Sequence, residues 1–278
     1  GLDARVPRLK PLRSGRRIKV AILGAGVGGS AAALWLRDLL GQEVEVVLFV
    51  NGPIGGRCQS VELDGVRFEA GAAIISEMNV LFKALMTRFS LRRRELSKIN
   101  MPVAIFNGSR FLFSGVSTAA TNGRQAVAKL LTTFKMAWRY SFWSLLKLKG
   151  LARSSSAPNF SRLYRALRDG AVYAHPRELL STLGHGCLRL TERPADHWLV
   201  REVALPGDLV KELAEPGMRA NYGGQGCSAL HAFVGLVSIC GGICSKCFSV
   251  IGGNQQVPEM AVQAAKPRIV NARARLVR

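Results

Sequence analysis

Gly24, Gly26 and Gly29 stand at G-x-G-x-x-G spacing within IKVAILGAGVGGSAAALWLRDLL, Ile18 to Leu40. Glycines so spaced let a backbone close around a pyrophosphate: Gly24 permits the tight turn, Gly26 the approach of main chain to phosphate, and Gly29 the packing of a helix on a strand. The helix N-terminus behind them supplies amide donors and a positive dipole end. Further on, LFVNGPIGGR adds Gly55-Gly56-Arg57, two conformationally free residues and a cation. The acid that ordinarily binds the ribose hydroxyls lies about 20 residues past the glycines, at the end of the second strand. Val50 and Asn51 occupy that place. Asn51 can make a hydrogen bond through its side chain; Val50 cannot. The motif therefore reads either as a working dinucleotide site or as a packing device with an emptied ribose site.

The elements that must position these residues follow from periodicity. Ile18, Val20, Ile22 and Leu23 give a short apolar strand, and Ser30 to Leu40 a helix that packs through Leu34, Leu36 and Leu40. Val44 to Val50, rich in β-branched residues, is a second strand. Strand, glycine turn, helix and strand in this order are the context a bare glycine motif needs. Gln125 to Lys149 predicts one long helix with Val127, Leu130, Leu131, Phe134, Trp138, Phe142, Leu145 and Leu148 on a stripe. Lys129, Lys135, Arg139 and Lys147 lie off it, with Met136, Tyr140 and Trp143 among them. Such a helix either faces a core or lies on an anionic membrane.

Other reactive residues make weaker patterns. Cys240, Cys244 and Cys247 have C-x3-C-x2-C spacing, which can hold an iron–sulfur cluster, but Lys246 stands where an aromatic is usual and no fourth zinc ligand is near. No metal site is expected. Cys58, Cys187 and Cys227 read as isolated small side chains. His175, His185, His197 and His231 form no metal-spaced pair, and His231, in an apolar segment, reads as a core histidine. There is no G-x-S-x-G elbow, so no hydrolase is indicated. No residue can be assigned as a general base.

The chain has 278 residues, is 48% hydrophobic with mean hydropathy +0.15, and carries a net charge of +21. That apolar content supports a folded core and excludes intrinsic disorder. The charge favours anionic partners. It is scattered, however, apart from Arg92-Arg93-Arg94 and a loose basic arm from Arg5 to Lys19, and no nucleic-acid module signature appears. The longest apolar run, Ala229 to Cys244, is shorter than the roughly 20 residues of a membrane span. A chain beginning with Gly1 reads as processed or as a fragment, and without an apolar h-region near its start the compartment stays open.

The segments AILGAGVGGSAAALWL, IGGR, RFEAGAAII, MAWRYSFWSLLKLK, SRLYRAL, MRANYGGQGCSALHAFVGLVS and SVIGGNQQVPEMAVQAAK resemble, in the same order, the prenylcysteine oxidase family, also called prenylcysteine lyase. The resemblance covers about residues 17 to 278. It is most specific at RANYGGQ, Arg219 to Gln225, and IGGNQQV, Ile251 to Val257. It implies an α/β, Rossmann-like FAD-binding fold of the glutathione-reductase and amine-oxidase type with a mostly helical substrate-domain insertion. Residues 1–16 would be a basic arm, 17–90 the first half of the FAD layer, 91–228 the substrate domain, and 229–278 the return to the FAD layer.

The resemblance implies FAD as cofactor. The reaction it implies is oxidation of the prenylcysteine thioether with dioxygen and water to cysteine, a prenyl aldehyde and hydrogen peroxide. Lysosomal residence (or secretion) and membrane association are also implied. By position, Gly24, Gly26 and Gly29 would meet the pyrophosphate, with Gly55, Gly56 and Arg57 against it. Glu69 and Gly71 would face the flavin region, and Gly252, Gly253 and Asn254 would line its edge. This sequence departs from the family at Val50, where a ribose-binding glutamate is expected, at Ala274, near adenine, and at Phe248, where tryptophan or a similar aromatic is expected. The family pattern continues past Arg278 with more substrate domain and a final flavin-binding segment. The expectation is therefore a C-terminally incomplete chain, either catalytic in the family's manner or retaining the fold with weak or no FAD binding.

Overall fold

The computed structural model describes residues 18–95, 102–107, 109–117, 123–153, 158–184, 186–244 and 246–273. The basic arm, His185 and Ala274 lie outside them. Along the chain come β1 (Ile18–Leu23), α1 (Val27–Leu40), β2 (Val44–Val50), β3 (Ser60–Leu63), β4 (Val66–Glu69), β5 (Ile75–Ser76), α2 (Val80–Arg88) and β6 (Arg93–Glu95). Next are β7 (Pro102–Phe106), β8 (Phe111–Ser117), α3 (Gly123–Tyr140), α4 (Phe142–Gly150), α5 (Phe160–Arg168) and α6 (Pro176–Leu183). Two short turns of helix, α7 (Ala195–His197) and α8 (Gly207–Leu209), each run on into a π turn, and α9 (Glu215–Asn221) and α10 (Ala232–Cys244) follow. β9 (Cys247–Val250), α11 (Gln256–Ala265) and β10 (Arg268–Asn271) complete the order.

The chain divides into two compact units, residues 1–94 with 248–278, and residues 95–247. The chain leaves the first unit after Arg94 and returns to it at Phe248. The apolar run ending in α10 belongs to the second unit, where Ala232, Leu236 and Ile239 are buried in its core.

In the first unit β1, β2 and β10 form a parallel sheet with β2 central. Ile18 pairs with Val44 and Leu23 with Phe49, so both glycine-bearing strand ends finish level. The β-branched run of β2 is buried along most of its length. Strands buried on both faces read as continuous apolar runs in this way. Leu34 and Ala33 of α1 pack with Val44, Val46, Val257 and Ala261, so α1 and α11 share one core. Gly41, at φ +55, ends α1 in a conformation few side chains adopt. Arg37 donates to the carbonyls of Gly41, Val44 and Ala265, fastening the ends of α1 and α11 together. A second sheet has the order β5-β9-β6, and β3 with β4 makes a hairpin.

The second unit is mostly helical, with the hairpin β7–β8 added. Its core is built on Trp198, Leu199, Leu209, Met218 and Leu236. The long helix expected over 125–149 is two helices, because Ser141 takes φ +68 and breaks the ladder. Only the end of the stripe reaches the core: Leu145 packs partly and Leu148 is buried. Leu130, Phe134 and Trp138 are 70%, 67% and 85% exposed, so the core-facing expectation fails over α3. His231 is exposed as well, bridging Pro194 through its backbone. Among the described residues no helix is long and apolar enough to cross a membrane.

Tyr140, at the end of α3, is buried and donates to Glu212 at 2.6 Å, while Arg139 donates to both Glu212 oxygens at 2.7 Å. The Arg139 guanidinium first, and then the Tyr140 hydroxyl, hold the Glu212 carboxyl below the usual carboxylate range against the opposing effect of burial. Tyr140→Phe is expected to lower stability by about 1–3 kcal/mol at neutral pH, since a hydrogen bond to a charged group is lost. A depressed folded-state value means that the carboxylate contributes fully above its unfolded value, about 4.3, and ceases to contribute as pH falls through the folded value. The gap between parent and variant should therefore close in acid, which urea midpoints measured from neutral pH downward would show.

Candidate functional site

The two glycine turns are stitched side by side. Gly24 N–H donates to the Phe49 carbonyl at 2.8 Å, and Gly55 N–H donates to the Ala25 carbonyl at 2.9 Å. Gly26 and Gly55 form a parallel bridge. A Cβ on Gly56 would lie 3.2 Å from Gly26 Cα, so the approach of the two turns itself requires glycine. The opposite face is open. Among the described residues a Cβ on Gly24 or Gly28 would meet no atom within 4 Å, and one on Gly26 only the Gly55 carbonyl oxygen at 3.9 Å. Gly26 is the N-cap of α1, whose first turn carries no acid. The first amides of a helix lack intrahelical acceptors, and its dipole draws anions there. Arg57, exposed beside this turn, adds a cation. On these grounds a pyrophosphate fits.

The remaining residues named from sequence divide by role. Gly29 faces the protein: its Cβ would lie 2.0 Å from the Gly24 carbonyl oxygen. It is the glycine at which the helix packs closely on the strand. Gly71 is likewise packed, its Cβ position 2.1 Å from the Arg57 carbonyl oxygen, and Ala72 N–H donates to that same oxygen at 2.7 Å. Glu69 accepts from the Asn254 amide at 2.6 Å and from the Ser60 hydroxyl at 3.3 Å. Asn254 is fully buried. Its Oδ1 accepts from Val250 N–H at 2.8 Å and its Nδ2 donates to the Ala72 carbonyl at 2.6 Å. With its side chain used in this way, Asn254 ties β9 to the segment after β4. Gly253, at φ +107, is pressed against Ser60 and Arg67, while Gly252, at φ +90, is exposed and accepts from Arg67 at 2.9 Å. Phe248 is buried in the core under α1 and α11.

The ribose end is apolar. Val50 is 5% exposed and packs with Ala25, Leu48 and Val262, whereas Asn51 is exposed just beyond it. Leu23 is 62% exposed at the end of β1. Cys58 is buried next to the second turn, and burial first, then the Glu69 charge, pushes its thiol up. In the second unit burial pushes Cys227 up to about 12. Cys240 and Cys247 are half-buried, and among the described residues no group of three or more His, Cys, Asp or Glu side chains could hold a metal.

Sequence reasoning missed Gln255. Its Nε2 donates to the Ile54 carbonyl at 2.8 Å and its Oε1 accepts from Ser60 N–H at 2.7 Å, on either side of the Gly55–Arg57 turn. The polar run Asn254-Gln255-Gln256, straight after two glycines and ahead of an apolar helix, was the available signal.

A Rossmann-like NAD(P)-binding domain model matches residues 22–89, and the prenylcysteine lyase model matches residues 124–278, more than half of the chain. This chain belongs to the prenylcysteine lyase family. Bovine (Bos taurus) prenylcysteine oxidase 1-like is 28% identical over 258 residues, 92% of this chain and 49% of that protein. Human (Homo sapiens) prenylcysteine oxidase 1 is 29% identical over 256 residues, 91% of this chain and 47% of its own length. The chain thus spans about half the length of the curated relatives it matches. Two solved structures share the fold. Putrescine oxidase bound to putrescine superposes at TM-score 0.54 and 21% identity, over 92% of this chain and 51% of that one. Cyclohexylamine oxidase from Brevibacterium oxydans IH-35A superposes at 0.55 and 21%, over 92% and 51%. The fold is the α/β, amine-oxidase type, as the family resemblance implies.

Proposed function

We propose that this family member is an FAD-dependent oxidoreductase acting on a prenylcysteine thioether, with dioxygen as acceptor. The observation that carries this reading is the open cradle made by the two stitched glycine turns at the head of α1. FAD, when bound, supplies hydride acceptance and reoxidation by dioxygen. The chain's own part is to hold the pyrophosphate at Gly24, Gly26, Gly28 and the first amides of α1, with Arg57 balancing its charge. A second reading, the fold kept without flavin, is favoured by the apolar burial of Val50. Titrating FAD against the purified protein, read by flavin fluorescence quenching, decides between them. Saturable quenching, with FAD released on denaturation, supports the first; colourless protein that takes up no added FAD supports the second.

A peripheral contact with anionic membrane belongs to the same proposal. It is supported by exposed Leu130, Phe134, Trp138 and Trp143 close to exposed Lys135, Lys147 and Lys149. Such contacts combine apolar insertion with attraction to acidic headgroups. Binding to phosphatidylserine vesicles is expected to exceed binding to phosphatidylcholine vesicles. It should also fall with added salt, since the Debye length shrinks from about 10 Å at 0.1 M to about 3 Å at 1 M. Co-sedimentation measures both, and equal binding to the two vesicle types at every salt concentration would refute it. Lysosomal residence or secretion is proposed from family membership, and fractionation of cells expressing a tagged chain tests it.

A further inference from the structure

We propose that Gln255 is a positioning residue that sets the Gly55-Gly56-Arg57 turn for phosphate binding; the assignment rests on the FAD reading above. Gln255 is the N-cap residue of α11, yet its side chain makes no hydrogen bond to its own helix. An N-cap side chain ordinarily serves the first amides of its helix. This one reaches across the fold, to Ile54 and Ser60, 201 and 195 residues away in sequence. The two bonds grip the chain just before and just after the turn. The stem fills the space between, since a Cβ on Gly55 would lie 3.0 Å from Gln255 Cγ.

The turn has few constraints of its own. Gly55 and Gly56 take φ +125 and +57, a region where glycine is conformationally free. Cys58 N–H donates back to the Gly55 carbonyl at 3.0 Å, Gly55 N–H is held by Ala25, and the Arg57 carbonyl accepts from Ala72 N–H at 2.7 Å. Gln255 therefore completes a frame: the first glycine loop holds the turn on one side, and the head of α11 holds it on the other. What the frame carries is Arg57, exposed at the turn. The fit of chemistry supports the assignment. A primary amide offers a donor and an acceptor at once, and the turn's two flanks present one free carbonyl and one free N–H to it. A carboxylate would face the Ile54 carbonyl with a lone pair, and a leucine would satisfy neither group.

The test compares Gln255→Leu, Gln255→Glu, Arg57→Ala and the double variant Gln255→Leu/Arg57→Ala in the whole chain, with FAD as the probe. Gln255→Leu is expected to weaken FAD by about 10- to 100-fold, the range seen when a group that orients a metal ligand is removed. Gln255→Glu, which keeps the acceptor for Ser60, should fall between leucine and the parent. If Gln255 acts through Arg57, the double variant binds no more weakly than the worse single variant. A merely structural role would instead give additive losses. Amide exchange supplies a ligand-free readout: Ser60 N–H should exchange faster in Gln255→Leu, with the amides of α1 unchanged. Should the leucine variant fail to fold, the glutamate variant carries the comparison. Parent-like FAD affinity in both Gln255 variants, or strict additivity with Arg57→Ala, overturns the assignment alone. A parent that takes up no FAD overturns the flavin reading and the assignment together.

Discussion

Gly26→Val is expected to abolish FAD binding in a protein that still folds, whereas Gly29→Ala is expected to destabilise the protein itself. The two glycines belong to one motif and lie three positions apart, but their surroundings differ. Gly26 has φ −72 and ψ −179, extended backbone open to any residue. Among the described residues the only neighbour within reach of a Cβ there is 3.9 Å away. A valine at 26 therefore costs the fold little and fills the face on which a phosphate must rest. At 29 the added methyl meets a backbone carbonyl oxygen at 2.0 Å and the Ile22 side chain at 3.2 Å. Neither can retreat without separating α1 from β1. Overpacking of this kind costs about 1–3 kcal/mol, and more where backbone must shift. Far-UV circular dichroism and melting midpoints separate the two outcomes, with flavin quenching as the second axis. Gly26→Val that holds flavin as tightly as the parent would remove the basis of the cradle.

The contrast also shows what the sequence could and could not disclose. The strand–turn–helix–strand unit was legible because two periodicities and a glycine spacing agree on it, and β1, α1 and β2 follow that pattern closely. Which side of each glycine is open was not legible. Spacing fixes where glycine stands, and only the folded chain decides whether a missing side chain leaves room for ligand, as at Gly26, or for protein, as at Gly29 and Gly71. Asn254 illustrates the same limit. A polar residue after two glycines suggests ligand contact, but its partners Val250 and Ala72 come from elements that only the fold brings together. The break at Ser141 had no glycine or proline to announce it. The stripe on α3 was correctly seen as apolar, but amphipathicity does not say what faces the stripe, and over Leu130, Phe134 and Trp138 it is solvent.

Val50→Glu restores the acid that the family resemblance implies, and on sequence alone it should tighten FAD. The structure alters that expectation. Val50 is 5% exposed, enclosed by Ala25, Leu48 and Val262, and its carbonyl already accepts from Ala272 N–H at 3.0 Å. A glutamate that kept the valine's direction would place a carboxylate among aliphatic groups without a partner. An uncompensated buried charge costs about 3–5 kcal/mol. For a chain of this size that lowers the melting temperature by roughly 6–20 °C, at 2–4 °C per kcal/mol. Asn51 offers the alternative. It is exposed at the end of β2, beyond the paired register that ends with Val50 opposite Asn271. Asn51→Asp adds a charge there without disturbing the cluster below. A charged hydrogen bond to a ribose hydroxyl contributes about 1.5–3 kcal/mol, equivalent to roughly 10- to 150-fold in affinity. The expected result is that Asn51→Asp tightens FAD by at least several-fold with an unchanged melting point, while Val50→Glu lowers the melting point. Fluorescence titration and thermal melts on both variants read this directly. If Val50→Glu melts with the parent and tightens FAD, the valine is a vacated ribose anchor and its cluster yields on binding. If Asn51→Asp leaves the affinity unchanged, the ribose end of the site lies elsewhere than the tip of β2.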